Sequence, residues 1–515
     1  MDREEELAYL KKQDSWEVLV IGGGATGLAL ALDSASRGYK TLLLEAYDFT
    51  KGTSSRSTKL LHGGVRYLEQ GNFSLVYEAL HERNYLFLNA PWLCKKQGFI
   101  ISTPGYFQNW YYYLGLKFYD LLAGKLNIGK SKKLSKNEIQ TKLKGLKTQK
   151  IQNGICYYDG SFDDARMGIS LAKTAHFYKA CLLNYMEVQD FLRDEKNQIA
   201  GVKAYDKINH QAFKIKAKCV INATGVFSDS ITQMDGMHAS ITPSQGVHLV
   251  VDKRFFPNEE ALLVPKTSDG RVLFIIPWYE KVLLGTTDTL IKEVSYEPKA
   301  LKEEIDFILQ TANKYLEKEL SKEDILSVFV GLRPLISKQN QNTKELSRSH
   351  KIELSPNKLL SINGGKWTTC RIMAEETLNF AIKNKLLEPK ICQSKHLKHY
   401  GYDENIDSSQ RLKIYGLDSL ELRKLEKTEL GKRIHPNYPF TYAQVFWALK
   451  YEMAQNIEDV LARRIRLLFI DAKACEECAD EVSEFIAQYF NHDKKRSEKE
   501  KQEFIQLTKQ YQIKD

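Results

Sequence analysis

The stretch Val18-Leu-Val-Ile-Gly-Gly-Gly-Ala-Thr-Gly-Leu-Ala-Leu-Ala-Leu32 leaves this chain few folds to choose from. Val18 to Ile21 reads as a buried strand, Leu28 to Arg37 as a helix closed by Gly38, and Thr41 to Leu44 as a second strand that delivers Glu45. Between strand and helix, Gly22, Gly24 and Gly27 have the G-x-G-x-x-G spacing. Gly22 permits the tight turn, Gly24 lets backbone approach a pyrophosphate, and Gly27 lets the helix pack on the strand. Ala25 and Thr26 open the helix, where free amides and the helix dipole favour an anion. Glu45 is placed to accept hydrogen bonds from a ribose. Three glycines alone could be an ordinary turn; strand, helix, second strand and terminal acid in this order point to a dinucleotide.

A chain of 515 residues is too long for one core, so two or three domains are expected. Its 43% hydrophobic and 27% charged residues are those of a globular protein. The net charge, 75 basic minus 65 acidic residues, is +10; it permits attraction to anionic lipid, nucleic acid or phosphorylated substrates without choosing among them. Eight scattered cysteines and no recognisable signal peptide predict reduced thiols in a cytoplasmic setting. Cys475 and Cys478 have C-x-x-C spacing but no second pair, so a structural role is expected and no metal. No apolar run approaches the ~18 residues of a membrane span, which leaves attachment to a membrane surface open.

Further along, Lys51-Gly-Thr-Ser-Ser-Arg-Ser-Thr-Lys-Leu-Leu-His-Gly-Gly-Val-Arg-Tyr-Leu68 is rich in small and hydroxyl residues, as the wall of a cofactor site would be. Residues 106–122 predict a helix with Tyr111, Leu114, Phe118, Leu121 and Leu122 on one stripe and Lys117 and Asp120 on another face. Lys125, Lys130, Lys132, Lys133 and Lys136 follow. Insertion into an anionic membrane surface and packing into a core both fit this periodicity. A second strand-to-glycine turn ends at Ala223-Thr-Gly225, short strands run through 240–292, and Gly364-Gly-Lys-Trp-Thr368 opens a return to the dinucleotide fold. From about 386 the pattern is helical, with Thr441-Tyr-Ala-Gln444 a predicted capping box.

Several of these distant runs together resemble one family, the FAD-dependent glycerol-3-phosphate dehydrogenases. They are the dinucleotide unit, Thr53–Leu68 with its His-Gly-Gly-Val-Arg-Tyr-Leu core, Ala223-Thr-Gly225, Asp269-Gly-Arg271 with Gly285-Thr-Thr-Asp288, Gly331-Leu-Arg-Pro-Leu335 and Gly364-Gly-Lys366. The resemblance covers nearly the whole chain. It implies an α/β fold with a Rossmann-like FAD-binding domain of the glutathione-reductase/D-amino-acid-oxidase type, a mixed-sheet substrate domain and a helical C-terminal domain. The expected boundaries are 1–95, 151–235 and 340–385 for the discontinuous FAD domain, 96–150 and 236–339 for the substrate-binding and membrane-facing domain, and 386–515 for the helical domain.

The implied reaction is oxidation of sn-glycerol 3-phosphate to dihydroxyacetone phosphate by hydride transfer to FAD, with electrons passed to a membrane quinone. No EF-hand calcium loop occurs, so a bacterial-type enzyme is the better comparison. Arg333 and Arg348 are the implied phosphate clamp, because a guanidinium fork matches phosphate oxygens. His62 and His248 compete for the role of base, and the sequence does not choose between them. Arg66, Tyr67 and Lys366 complete the expected catalytic set. Thr53, Ser54, Ser55, Lys59, Leu61, His62, Ala223, Thr224, Gly225, Gly364, Gly365, Lys366 and Thr368 join the opening loop as expected FAD contacts. The resemblance favours the membrane-surface reading of 106–136, hence a cytoplasmic protein peripheral to the inner face of the cytoplasmic membrane. Oligomeric state, a homodimer included, stays open.

The nearest rival is a glycerol-3-phosphate oxidase that passes electrons to oxygen and makes peroxide. Lower-ranked rivals are a flavin-dependent RNA-modifying protein, argued from the +10 charge, and a non-catalytic flavin-fold scaffold. The specific runs around His62 and Arg333 weigh against the RNA-modifying reading, so no nucleic-acid partner is expected; a scaffold would bind FAD but show no bleaching with a polyol phosphate.

Overall fold

The computed structural model describes residues 1–69, 71–103, 105–147, 151–238, 241–267, 270–336, 350–404 and 411–513. Trp16–Ile21 lies in the middle of an eight-stranded sheet. Gln211–Asn222 and then Leu359–Gly364 flank it on one side, Thr41–Leu44 and then Cys181–Leu183 on the other, all parallel. Parallel strands covered on both faces have no solvent side and read as unbroken apolar runs, which is why Val18, Leu19 and Val20 are all fully buried. The helices Ala25–Ser36, Asp164–Phe177 and Cys370–Lys383 cover one face through Leu28, Ile169 and Met373. Leu7 and Leu10 of Arg3–Lys11, with Phe191, cover the other.

The second sheet has ten strands and is mixed: Ala261–Val264 runs parallel to Cys94–Thr103, while the other pairings are antiparallel. Its longest pairing joins Ile241–Asp252 to Ile325–Ile336, with Ser244 opposite Arg333, Gly246 opposite Gly331 and His248 opposite Phe329. Two expected groupings move, since Leu60–Leu61, placed above within 1–95, and Asn153–Phe162, placed within 151–235, are both strands of this sheet. Asn153–Phe162, grouped above with the FAD domain, is a central strand here, paired to Cys94–Thr103, Lys132–Ser135 and Leu60–Leu61. Which sheet a strand joins is decided by long-range pairing, which chain order does not reveal.

The C-terminal helices pack onto the second sheet: Val445, Leu461, Leu468 and Val482 share a core with Val250, Ile276 and Phe329. The capping box of Thr441 and Gln444 opens Tyr442–Tyr451 as expected. Cys475 and Cys478 are buried free thiols within this core.

Tyr106–Ala123 is a helix, as its periodicity predicts, and it buries only Asn109, Leu116, Tyr119 and Ala123. Most of the stripe faces outward, with Leu121 72%, Leu114 62% and Tyr111 56% exposed, while Leu122 packs partly against Val76, Leu80 and Tyr119. Only Leu122 of that stripe takes part in core packing. Phe73, at the start of Phe73–Asn89, extends the outward patch by an edge-to-face contact with Phe118. Among the described residues, no helix is long and apolar enough to cross a membrane.

Candidate functional site

Where the two sheets meet, a cavity of about 400 Å³ opens at the C-terminal ends of the parallel strands. That size falls in the range of small-molecule and cofactor sites. The first sheet contributes Gly22, Gly24, Ala25, Thr26 and Glu45, and the second contributes His248 and Arg333. The cavity is thus walled by the dinucleotide turn on one side and by candidate substrate residues on the other.

The turn shows why it is made of glycine. A Cβ on Gly27 would sit 1.8 Å from the Gly22 carbonyl oxygen, and one on Gly22 would sit 2.8 Å from that of Ala223. Gly22 also has a φ of +108°, a region costly for any side chain. Gly24 caps Ala25–Ser36 without a side-chain oxygen, and the first turn carries no acidic residue, so nothing on the helix competes with a bound anion. The Ala25 amide donates to Ser54 Oγ at 2.9 Å, which brings the hydroxyl-rich loop against the helix start. Glu45 accepts the amides of Gly23 and Tyr47 at 2.6 and 2.9 Å. Burial pushes its carboxyl upward, and those two amides pull it back. A glycine cradle, a helix terminus without an anion and a fixed carboxylate suit a dinucleotide with pyrophosphate and ribose.

Thr53, Thr224, Gly225, Gly364, Gly365, Lys366 and Thr368 line the same cavity, together with Ala223 and Ser54. Two bonds hold these pieces in place: Trp367 Nε1 donates to the Ser54 carbonyl at 2.8 Å, and Thr53 Oγ1 to the Leu332 carbonyl at 2.6 Å. Ser55, Lys59 and Leu61, expected at the cofactor, are not among the lining residues. Lys59 turns inward, its Nζ donating to the Ser55 carbonyl and to Asp164 at 2.7 Å each. Burial brings the Lys59 ammonium down to about 7, with Asp164 opposing the shift. Leu61 is fully buried beside Phe162 and Met167. Along an extended run successive residues face opposite ways, so a loop with the right composition still sends part of itself to the core.

His248 is 3% exposed, stacks on Phe329 at 4.9 Å and has Nε2 within 2.9 Å of Thr58 Oγ1. Burial, then Lys59 and Arg333, hold it well below the usual histidine range, so it is neutral at neutral pH. Its Nδ1 is buried with no hydrogen-bond partner among the described residues. A bare acceptor there costs less than an orphaned N–H, so the proton sits on Nε2 and is given to Thr58. Thr58 lies inside the quoted run but was not singled out from the sequence.

Arg333 reaches across Gly246, whose Cβ would fall 2.3 Å from Nη2. Its guanidinium donates to Asp288 Oδ1 at 3.0 Å and to the Thr287 carbonyl at 2.9 Å. His62 lines the cavity, and its amide donates to Thr368 Oγ1 at 3.3 Å. Lys366 Nζ lies 4.2 Å from the centre of the Tyr67 ring, which places Tyr67 behind the lysine and outside the lining. Arg66 belongs to the helix Val65–Glu69, and its side chain lies outside the described residues, as does all of Arg348.

The model of FAD-dependent oxidoreductases matches residues 17–373, and that of the C-terminal domain of alpha-glycerophosphate oxidase matches 388–497. The mitochondrial glycerol-3-phosphate dehydrogenase of Bos taurus is 37% identical over 97% of this chain and 74% of its own length. The chain belongs to the FAD-dependent glycerol-3-phosphate dehydrogenase family. The Saccharomyces cerevisiae mitochondrial relative is 34% identical over the whole chain and 92% of its own length. Among solved structures, the glycerol-3-phosphate dehydrogenase of Bacillus halodurans complexed with FAD superposes with a TM-score of 0.78 at 26% identity, covering 99% of both chains. L-alpha-glycerophosphate oxidase of Mycoplasma pneumoniae with FAD bound shares the fold, with a TM-score of 0.57 at 17% identity over 74% of this chain and 97% of its own. The cofactor of this family is FAD, and the cavity's donor set suits it.

Proposed function

We propose that the protein oxidises sn-glycerol 3-phosphate to dihydroxyacetone phosphate and passes the electrons to a membrane quinone. The observation that carries this reading is the pairing of Ile241–Asp252 with Ile325–Ile336, which brings a guanidinium and an imidazole into the cavity walled by the dinucleotide turn. FAD, when bound, supplies the hydride acceptor. Arg333 takes the substrate phosphate, sharing its fork with Asp288, and Arg348 is its proposed second ligand. His62 takes the hydroxyl proton. His248 is the poorer base, because uptake of a proton would charge a buried ring beside Lys59 and Arg333; its Nε2–H positions Thr58, which lines the cavity beside it. Lys366 stabilises negative charge on the reduced cofactor. The proposed cofactor contacts remain those that line the cavity, with Gly27 acting through helix packing.

The outward aromatic helix and its neighbouring lysines support attachment to an anionic membrane surface, on the cytoplasmic face where a quinone pool is reached. A second reading, transfer of electrons to oxygen, is favoured by the match of 388–497 to a domain of alpha-glycerophosphate oxidase. Anaerobic titration with glycerol 3-phosphate should bleach the flavin absorbance at one equivalent, and a quinone analogue should restore it. Absence of bleaching overturns the reaction, and stoichiometric peroxide in air replaces quinone with oxygen.

A further inference from the structure

The helix Tyr106–Ala123 has an exposed apolar face and, on its other side, a buried polar contact to the residue next to His62. Its outer face carries Phe107, Trp110, Leu114 and Leu121, and the segment after it has five lysines and no acidic residue between Gly124 and Lys136. That charge and that apolar face fit one occupant, an anionic lipid surface. On the inner face Tyr119 is 2% exposed. Its hydroxyl accepts the Gly63 amide at 2.9 Å and donates to Asp159 Oδ2 at 2.6 Å, while Arg83 of the neighbouring helix donates to Asp159 Oδ1 at 2.7 Å. Gly63 admits this contact only because it lacks a Cβ, which would lie 2.6 Å from the phenolic oxygen and 2.8 Å from Leu80. Gly63 follows His62, which lines the cavity and whose amide donates to Thr368 Oγ1.

We propose that Tyr119 is a positioning residue through which seating of the aromatic helix on an anionic bilayer sets His62 in the wall of the cavity, by way of the adjoining Gly63. The inference rests on the reaction and the membrane attachment proposed above. Asp159 is fixed in the second sheet and paired with Arg83, so the hydroxyl of Tyr119 is the one member of this set carried by the lipid-facing helix. A rotation or tilt of the helix therefore moves the acceptor of the Gly63 amide and the residue next to it. A buried hydrogen bond of this kind has no water to replace it, so its loss is felt by the loop rather than absorbed by solvent.

The test uses the full-length holoprotein, wild type and Tyr119→Phe, each with and without vesicles of phosphatidylcholine and phosphatidylglycerol. In wild type, vesicle binding is expected to slow amide hydrogen exchange in the Leu60–Tyr67 segment about tenfold. Tyr119→Phe is expected to bind the same vesicles and keep FAD, show no such slowing, and lose about tenfold in kcat with KM for glycerol 3-phosphate unchanged. Gly63→Ala, which breaks the same contact from the other side, should reproduce the loss of response. Failure of wild type to bind vesicles or to respond, or an equal response in either variant, overturns the proposal. Lack of flavin bleaching by glycerol 3-phosphate in wild type overturns the reaction alone, because the exchange measurement still decides the coupling.

Discussion

Arg333 and His248 reach the cavity because glycines stand where a side chain would block them: Gly246 beneath the guanidinium and Gly285, whose Cβ would fall 2.3 Å from the His248 ring. Replacing Arg333 by alanine removes the charge-assisted grip on the substrate phosphate, about 1.5–3 kcal/mol, so KM should rise roughly 10- to 100-fold while FAD stays bound. Steady-state kinetics with flavin absorbance checks this, and an unchanged KM removes Arg333 from the site. The two histidines separate in the same assay. His62→Gln should lower kcat about 10²- to 10⁴-fold, the range for loss of a general base. His248→Gln keeps an N–H donor and should cost about tenfold or less. Equal losses would undo the assignment. His62 and Arg333 were legible in the sequence because each sits in a specific run. Thr58 and Gly246 were not, since their roles exist only once Ile241–Asp252 pairs with its neighbours.

Among the elements, the turn from Asp48 to Lys59 is clamped by the C-terminal domain. A π-helical turn, Asp459–Arg464, supplies Arg463 and Arg464, and both donate to Asp48, which is fully buried. Burial would raise the Asp48 carboxyl, but Arg464 and Arg463 outweigh it and hold it low. Arg466 adds bonds to the Ser55 carbonyl and Asp164. Asp48→Asn would take one carboxylate from two buried guanidinium groups, leaving Arg463 with Glu458 and Asp459 but Arg464, among the described residues, with only the Glu452 carboxylate at 3.8 Å, a loss of about 3 kcal/mol. Urea unfolding should register that loss, and flavin bound per protein should fall because this turn walls the cavity. An intact unfolding midpoint would show that the clamp is dispensable. The aromatic helix makes its own prediction. Trp110→Ser with Leu114→Ser removes exposed apolar area and should abolish sedimentation with anionic vesicles at low salt while leaving FAD in place; continued sedimentation would move the membrane contact elsewhere. The periodicity of 106–122 was readable, but its direction was not, because an apolar stripe looks the same against lipid as against protein.

Across the whole molecule, buried histidine sets a pH limit. His399 is 5% exposed, its Nδ1 meets Ser170 Oγ at 3.1 Å, and burial brings it from 6.5 down to about 4. The unfolded chain gains a proton below about 6.5 that the folded chain refuses until about 4. Stability from this group is therefore complete above pH 6.5 and lost as the pH falls toward 4, by about 3 kcal/mol. The thermal midpoint should drop across that window, and His399→Gln should flatten the drop; an identical slope in the variant would assign the effect to other groups.

Local sequence was sufficient for the dinucleotide turn, the helical C-terminal region and the family, because steric demands at Gly22 and Gly27 and apolar periodicity act within a few residues. Tertiary structure alone decided that Asn153–Phe162 joins the second sheet, that Lys59 turns to Asp164 rather than to the cavity, and that the aromatic face points outward. Each of those depends on a partner about fifty to a hundred residues away, or on the absence of one, and neither spacing nor composition encodes what a side chain meets across the fold.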